Sequence, residues 1–386
     1  MKEIRIGIIG TGIIAHSHME MYAKIDGVKV VAACDIQAEK LEAFRKKYDI
    51  PYGYADYRKL LERDDLDSVD VCLHNNLHAP ISIAVMQSGK NCYCEKPMAG
   101  SYLDALAMKE AAAACGVRLH IQLAQIYGGA ALAAKTLIDN GRLGSIYHAR
   151  SYGYRLRGRP FVDGYGEKEF DSSLWAGHGA LYDMGVYHIS QLLYLLGLPK
   201  VKRVSGAVRQ ELAMDEERRR VSGFDVEELG MGFVKFDGGL TMDILESWAI
   251  HATEFPQSSI HGSLGGLELR QDGDVTYLHD VDGYPAKTVL NVGAHDYPLF
   301  RFDPKRMLYE NSQNHWVGVL RGECDPIDTP EIALQTMLIS EGIFLSDRLG
   351  REVAAEEIPE LCVSNAMRSQ ETPFGPLAYP PYPFRA

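Results

Sequence analysis

The chain has 386 residues, 46% hydrophobic and 24% charged, the balance of a soluble globular protein too long for one ordinary core, so two domains are expected. A formal net charge of −12 argues against nucleic acid or an anionic membrane surface as a partner. No apolar run is long enough to span a bilayer, the N-terminus enters a strand pattern without a signal peptide, and the seven cysteines, an odd number, read as reduced thiols in the cytoplasm.

Ile4 to Ile9 is a β-branched strand, followed by the turn Gly10-Thr11-Gly12-Ile13-Ile14-Ala15 and a helical stretch from His16 to Ile25. Val28 to Ala33 is a second strand ending at Cys34-Asp35. This is the dinucleotide fingerprint, with alanine in the third glycine place. Gly10 permits the tight turn, Gly12 lets a pyrophosphate approach the backbone, and Ala15 allows close helix–strand packing. The helix N-terminus then offers unpaired N–H groups and a positive dipole end to the phosphates. Asp35 would accept hydrogen bonds from the ribose hydroxyls and repel a 2′-phosphate. No arginine follows it directly, which favours NAD over NADP.

The alternation continues. Ala38 to Tyr48 and Tyr57 to Arg63 are helical, with Pro51 to Tyr54 a short link between them. Val69 to Leu73 is a strand and His74-Asn75-Asn76-Leu77-His78 its C-terminal loop. His74 and His78 lack a carboxylate partner, so no metal is expected there. Ala79 to Ser88 is a helix, and Asn91 to Cys94 a strand that stops at Glu95-Lys96-Pro97, because proline cannot continue a central ladder. Cys92 and Cys94 point to one face and read as small buried hydrophobes. Ser101 caps a helix running to Cys115, and Val117 to Leu123 is one more strand. Strands separated by helices predict a doubly wound parallel sheet of α/β type over residues 1–125. Asn75 and Lys96 then lie at the strand carboxyl ends, the ligand-binding edge of such a sheet.

Beyond Ile126 the pattern changes. Ala130 to Asn140 is a helix, then strands follow with long polar loops: Ile146 to Tyr154, Val201 to Glu211, Glu227 to Phe236, Leu240 to Ile250, Ser258 to Gly262 and Leu267 to Arg270. Asp237-Gly238-Gly239 is a hairpin turn. Residues 126–350 thus read as an α+β domain with a mostly antiparallel sheet, and residues 351–386 as a tail rich in proline and aromatics. Arg155-Leu156-Arg157-Gly158-Arg159 is a basic patch in an acidic chain, read either as solvated surface or as an anchor for an anionic or polyhydroxy ligand. A helix is expected from Leu181 to Leu196, after Gly177-His178-Gly179 and before Gly197-Leu198-Pro199. At ~100° per residue Asp183 and Tyr187 share one face and His188 lies about 100° away.

Taken together, these motifs resemble the glucose–fructose oxidoreductase and inositol dehydrogenase (Gfo/Idh/MocA) family. Gly89-Lys90…Glu95-Lys96-Pro97 closely matches its Gly-Lys…Glu-Lys-Pro signature. His74 to His78 is similar to its Thr-Pro-Asn-x-x-His loop, with Leu73 and His74 replacing Thr and Pro. Gly177 to Gly185 resembles the glycine-rich approach to its catalytic helix, where the family commonly has His four residues after Asp and this chain has Tyr187, with His188 next to it.

The resemblance implies an NAD(P)-dependent enzyme acting on a sugar, cyclitol or related polyol, and a homodimer or homotetramer formed through the second domain's sheet. Its cofactor contacts fall on Gly10, Thr11, Gly12, Ile13, Ile14, Asp35, Asn75, His78, Glu95 and Lys96. Its catalytic set falls on Lys96, Asp183 and Tyr187, with His188 the runner-up acid/base. Substrate contacts are expected from Lys96, Asp183 and Tyr187 with Gln125, Arg155, Arg157 and Trp175 around them. Two other readings stand beside net dehydrogenation. One is redox-neutral sugar chemistry through tightly held NAD and a transient keto-sugar. The other is a non-catalytic NAD-binding regulator.

Overall fold

The structure, a computed structural model, describes residues 2–252, 256–270, 273–292, 304–372 and 375–378. The chain forms two compact units. The first comprises residues 1–122, 311–331 and 364–386, and the second residues 123–310 and 332–363. The first unit is thus discontinuous: the chain returns to it twice.

Its sheet has six strands in the order β3-β2-β1-β4-β5-β6. They are β1 (Ile4–Ile9), β2 (Val28–Cys34), β3 (Tyr52–Tyr54), β4 (Ser68–Val71), β5 (Asn91–Cys94) and β6 (Leu119–Ile121). All pairings are parallel. The order reverses between β1 and β4, the switch point at which doubly wound sheets bind ligands. Near-continuous apolar runs build it, as a sheet covered on both faces requires. Ile4, Ile6, Ile8, Ala33, Phe44 and Cys72 form one buried cluster with Val317, brought in by the returning helix Ser312–Arg321.

The helices are α1 (Ile13–Tyr22), α2 (Ala38–Tyr48), α3 (Tyr57–Leu61), α4 (Asn75–Gln87) and α5 (Tyr102–Cys115). Three expectations are corrected here. The link Pro51–Tyr54 contains an edge strand, paired with β2. Helix α1 starts at Ile13, not His16, because the positive φ of Gly10 (93°) completes the reversal within the turn, and Ala15 N–H already bonds the Gly12 carbonyl at 3.1 Å. Helix α4 starts at Asn75, so the expected loop is a single N-cap residue, His74, and a first helical turn. Pro80, inside α4, cannot donate to the Asn76 carbonyl. The Met367 N–H fills that place at 2.9 Å, which helps fasten the C-terminal segment to the first unit.

The second unit carries a nine-stranded sheet in the order β14-β13-β12-β11-β7-β10-β9-β8-β15. The strands are β7 (Ile146–Tyr154), β8 (Val201–Arg209), β9 (Leu229–Phe236), β10 (Thr241–Ser247), β11 (Ser258–Gly262), β12 (Gly265–Leu269), β13 (Val275–Val281), β14 (Tyr284–Leu290) and β15 (Val353–Ala354). Only β7 and β10 run parallel. The β13–β14 hairpin is absent from the sequence reading. Its signal is there: Asp282-Gly283, at φ 51° and 83°, between two β-rich runs.

Helices of this unit include α6 (Gly128–Asp139), α7 (Ser173–Ala176), α8 (Ala180–Asp183), α9 (Gly185–Leu195) and the long helix ending at Leu349. The single helix expected from Leu181 to Leu196 is therefore two, divided at Met184. The Tyr187 N–H bonds the Met184 carbonyl at 3.0 Å, a three-residue step. An even 100° wheel does not carry across such a joint. Among the described residues no helix is long and apolar enough to cross a membrane. The tail's Pro380-Pro381-Tyr382-Pro383-Phe384 lies outside the described residues.

Candidate active site

The dinucleotide end is built from backbone. A Cβ on Gly10 would overlap the Cys72 carbonyl oxygen, whereas a Cβ on Gly12 would meet nothing within 4 Å. The first glycine is thus needed for packing of the turn, and the second leaves the backbone open to an approaching group. Gly12 caps α1 without a side-chain bond, and the first turn holds no acid. The helix end is free to receive phosphate oxygens. Thr11 donates to Asp35 Oδ2 from its backbone N–H at 2.9 Å and its hydroxyl at 2.8 Å, and Gln37 N–H donates to Oδ1 at 2.8 Å. These bonds set the carboxylate at the end of β2. Ile13 is 70% exposed at the helix start, an apolar surface that water does not favour. Open glycine, uncapped helix end, aligned acid and bare isoleucine together fit a dinucleotide.

Lys96 is half-buried just past β5. The ladder ends with Glu95 N–H on the Val71 carbonyl at 3.0 Å, and Lys96-Pro97 is a cis peptide. Beneath it lies a buried charge cluster. His18 donates from Nδ1 to Asp70 Oδ2 at 2.7 Å and from Nε2 to Glu95 Oε1 at 2.8 Å. Tyr22 donates to Asp70 Oδ2 at 2.8 Å, and the Lys96 N–H to Glu95 Oε2 at 3.1 Å. Burial opposes the imidazolium, but Cys72, Asp70 and Glu95 outweigh it and raise His18 well above its ordinary value. Burial likewise opposes the Glu95 charge, yet His18 and Lys96 hold that carboxyl low.

Two residues expected at the cofactor, Glu95 and His78, are buried. Glu95 has its carboxylate on His18 and the Lys96 N–H, and so fixes the loop. His78 is fully buried, with Nδ1 2.7 Å from the Pro97 carbonyl and Nε2 2.9 Å from the Leu73 carbonyl. It ties the ends of β4 and β5 together and presents no atom outward. Asn75 is buried at the α4 N-terminus, at the same sheet edge.

In the second unit, Glu227 accepts from Gly179 N–H at 2.8 Å and Leu181 N–H at 2.9 Å and so caps α8. A Cβ on Gly179 would overlap the Glu227 carbonyl, the reason for glycine before this helix. Asp183 accepts from Trp248 Nε1 at 2.9 Å, and Arg155 lies 3.8 Å from the same oxygen. Arg155 also bonds the Tyr165 hydroxyl and lies over its ring, 5.2 Å from the centroid. Arg157 donates to the Ala213 carbonyl at 3.2 Å. Trp175 and Tyr187 are half-buried. Gln125 is exposed, and its carbonyl accepts from Gln191 at 2.9 Å. Arg159, by contrast, is 1% exposed and paired with Asp163 at 2.9 Å and Glu228 at 2.8 Å. The expected basic patch therefore loses one of its three arginines to internal structure.

His188 sits with Nδ1 3.0 Å from Glu246 Oε2 and 3.2 Å from Oε1. Burial opposes its charge, and the Glu246 charge and hydrogen bond overcome that, so its pKa is raised. Glu246, Trp248 and His18 were all missed by motif reading. Alternation along β10 could have found the acid: Met242 and Ile244 point inward, and Glu246 is the next inward place. A carboxylate there must have a partner.

Residues 4–123 match a family described as "Oxidoreductase family, NAD-binding Rossmann fold", and residues 131–268 match "GFO/IDH/MocA C-terminal domain". D-apiose dehydrogenase of Paraburkholderia graminis is 25% identical over 372 residues, covering 93% of this chain and 91% of that one. Inositol 2-dehydrogenase of Salmonella typhimurium is 33% identical over 154 residues, covering 39% and 46%. Among solved structures, a levoglucosan dehydrogenase in complex with NADH and levoglucosan superposes with a TM-score of 0.74 at 19% identity, covering 92% of this chain and 100% of the other.

Proposed function

The chain belongs to the Gfo/Idh/MocA family of NAD-binding oxidoreductases, and on that footing we propose that it moves hydride between NAD and a hydroxyl-bearing carbon of a sugar, sugar derivative or cyclitol. The observation that carries this reading is the seating of Lys96: a half-buried cation at the carboxyl end of β5, its backbone held by a buried His18–Glu95 pair. Such effort spent on one loop suits a group that must meet a substrate oxygen. The relatives named D-apiose dehydrogenase and inositol 2-dehydrogenase support a polyhydroxylated substrate.

NAD supplies the hydride acceptor, C4 of its nicotinamide. Gly10, Gly12 and the α1 N-terminus hold the pyrophosphate, and Asp35 the ribose hydroxyls. Lys96 donates to the reacting oxygen and stabilises the charge that develops there. Asp183, steadied by Trp248, binds the substrate. Arg155, Arg157, Trp175 and Gln125 shape the space around it. Tyr187 and His188 are the two side chains able to take the hydroxyl proton. The second unit's sheet forms the contact between subunits.

The test is a panel of sugars and polyols offered with NAD and followed by NADH absorbance. Net NADH from at least one member is expected. Conversion of a sugar with no NADH release would replace this reading by redox-neutral chemistry, and no conversion of any member would remove both.

A further inference from the structure

We propose that Glu246 is the positioning residue that makes His188 the proton-holding group of the oxidation, with Nδ1 tied to the carboxylate and Nε2 presented to the substrate hydroxyl. The proposal rests on the hydride-transfer reading above and settles which of the two side chains holds the proton.

Three features of the second unit carry it. Glu246 is fully buried, with both oxygens on His188 Nδ1 and Ser151 Oγ donating to Oε1 at 2.8 Å. A carboxylate in such a place is costly unless its partners are fixed, and here they are. Next, β7 is emptied to receive the ring. Glu246 pairs in register with Gly153, where a Cβ would overlap both Glu246 Oε2 and the His188 ring. Last, His188 is left with one working end. Its side chain is 20% exposed, and among the described residues Nε2 has no hydrogen-bond partner. An imidazole whose Nδ1–H is held by a buried carboxylate has a set tautomer and a basic Nε2.

Strand β10 and the residue just past it anchor both Asp183 and His188. Trp248, one residue past the end of β10 and buried, holds Asp183. The Asp183 and His188 anchors are thus two positions apart in sequence at the end of β10, although a helical wheel places those two residues on different faces. The groups placed against the ring are Glu246 from β10 and Gly153 from β7, with Ser151 behind them on Glu246. Glu246 is the charged group whose influence on the ring is resolved, and it favours the imidazolium.

The step balances as follows. The substrate O–H bond breaks and its proton goes to His188 Nε2. The C–H bond breaks with both electrons leaving as hydride to the nicotinamide, and the carbon–oxygen bond becomes a carbonyl. The substrate is oxidised by two electrons, NAD is reduced to NADH, and His188 returns its proton to water.

The experiment compares His188→Gln, Glu246→Gln, Glu246→Asp and Tyr187→Phe in the full chain, with the best substrate of the panel, from about pH 5 to 10. His188→Gln is expected to lower kcat/KM by about 10²- to 10⁴-fold. Glu246→Gln should lower it by about 10- to 100-fold and move the acid limb to lower pH, with Glu246→Asp restoring part of both. Tyr187→Phe should leave the acid limb where it is. NAD affinity, read by fluorescence titration, should hold in all four. An NMR titration of the His188 ring, assigned by its loss in His188→Gln, needs no substrate and should shift to lower pH in Glu246→Gln. A His188→Gln enzyme with near wild-type kcat/KM overturns the proposal. So does a limb and ring titration unmoved by Glu246→Gln, the mark of a purely structural pair. If no panel member yields NADH, the hydride-transfer reading falls, and the ring titration still decides whether Glu246 governs His188.

Discussion

Lys96 illustrates how little a residue type says until its surroundings are known. A lysine at a strand end is ordinarily solvated. Here its backbone is pinned on one side by Glu95 and His18, and the following Pro97 carbonyl by His78. Lys96→Ala should cut turnover by at least about 10³-fold while NAD binding stays near wild type, because the lost group acts on the reacting oxygen. Parallel NADH-release and NAD-titration measurements decide this, and an equal loss of NAD affinity would move Lys96 from catalysis to cofactor binding. Gly10 predicts the opposite split. Its φ of 93° and the Cys72 carbonyl leave no place for a Cβ. Gly10→Ala should shift the turn and weaken NAD binding by at least about 10-fold, from roughly 1–3 kcal/mol of strain, with little change in turnover once NAD is saturating. Unchanged NAD affinity in that variant would show that the turn does not carry the pyrophosphate.

At the scale of elements, charged side chains do the joining. His18 on α1 links Asp70 on β4 to Glu95 after β5, all three buried. His18→Gln should cost about 3–5 kcal/mol near pH 6, since it strands buried carboxylates. The sign of its pH dependence follows from the raised pKa of His18. The contribution is complete below the unfolded value of about 6.5 and is lost as pH rises through the folded value. Urea unfolding near pH 6 and again near pH 10 should therefore show a narrower gap between wild type and variant at the higher pH; a constant gap would mean that the ring is held neutral. Asp104 in α5 plays a similar part for the returning chain. It accepts from Ser101 Oγ at 2.7 Å, Ser364 Oγ at 2.6 Å and Asn365 N–H at 2.9 Å. Asp104→Ala should destabilise by on the order of 3 kcal/mol and expose residues 364–369 to protease. An unchanged melting temperature and cleavage pattern would show that the segment is held by other contacts.

For the whole molecule, the sheet of the second unit bears on assembly. The sheet of the second unit has a face on which Met231 and Phe233 are 37% and 38% exposed, beside half-buried His148, Arg150 and Tyr152. We expect a dimer or tetramer by light scattering, and Phe233→Arg with Met231→Arg should shift it to a smaller species. A monomeric wild type would dismiss the expected subunit contact. All seven cysteines are free thiols, so no disulfide needs to survive that change.

Periodicity and turn residues were enough to read the parallel sheet, the glycine turn, Asp35 and the place of Lys96. Those features are local: each depends on residues within one strand–turn–helix unit, where sterics and hydrogen bonding act over a few positions. Strand β7, Ile146–Tyr154, was legible to the residue for the same reason. What distance in sequence concealed was the pairing. Glu246 reaches His188 across 58 positions, Trp248 reaches Asp183 across 65, and Glu95 reaches His18 across 77. None of these follows from a helical wheel or a motif, because each partner is chosen by which strand lies under which helix. The break at Met184 shows the same limit from inside one element: propensity predicts one helix, and packing makes two. The amino-acid sequence alone thus determined the architecture and the residue types at the ligand edge. Tertiary structure decided which carboxylate orients which base, since a buried charge is tolerable only beside the partner that the fold delivers.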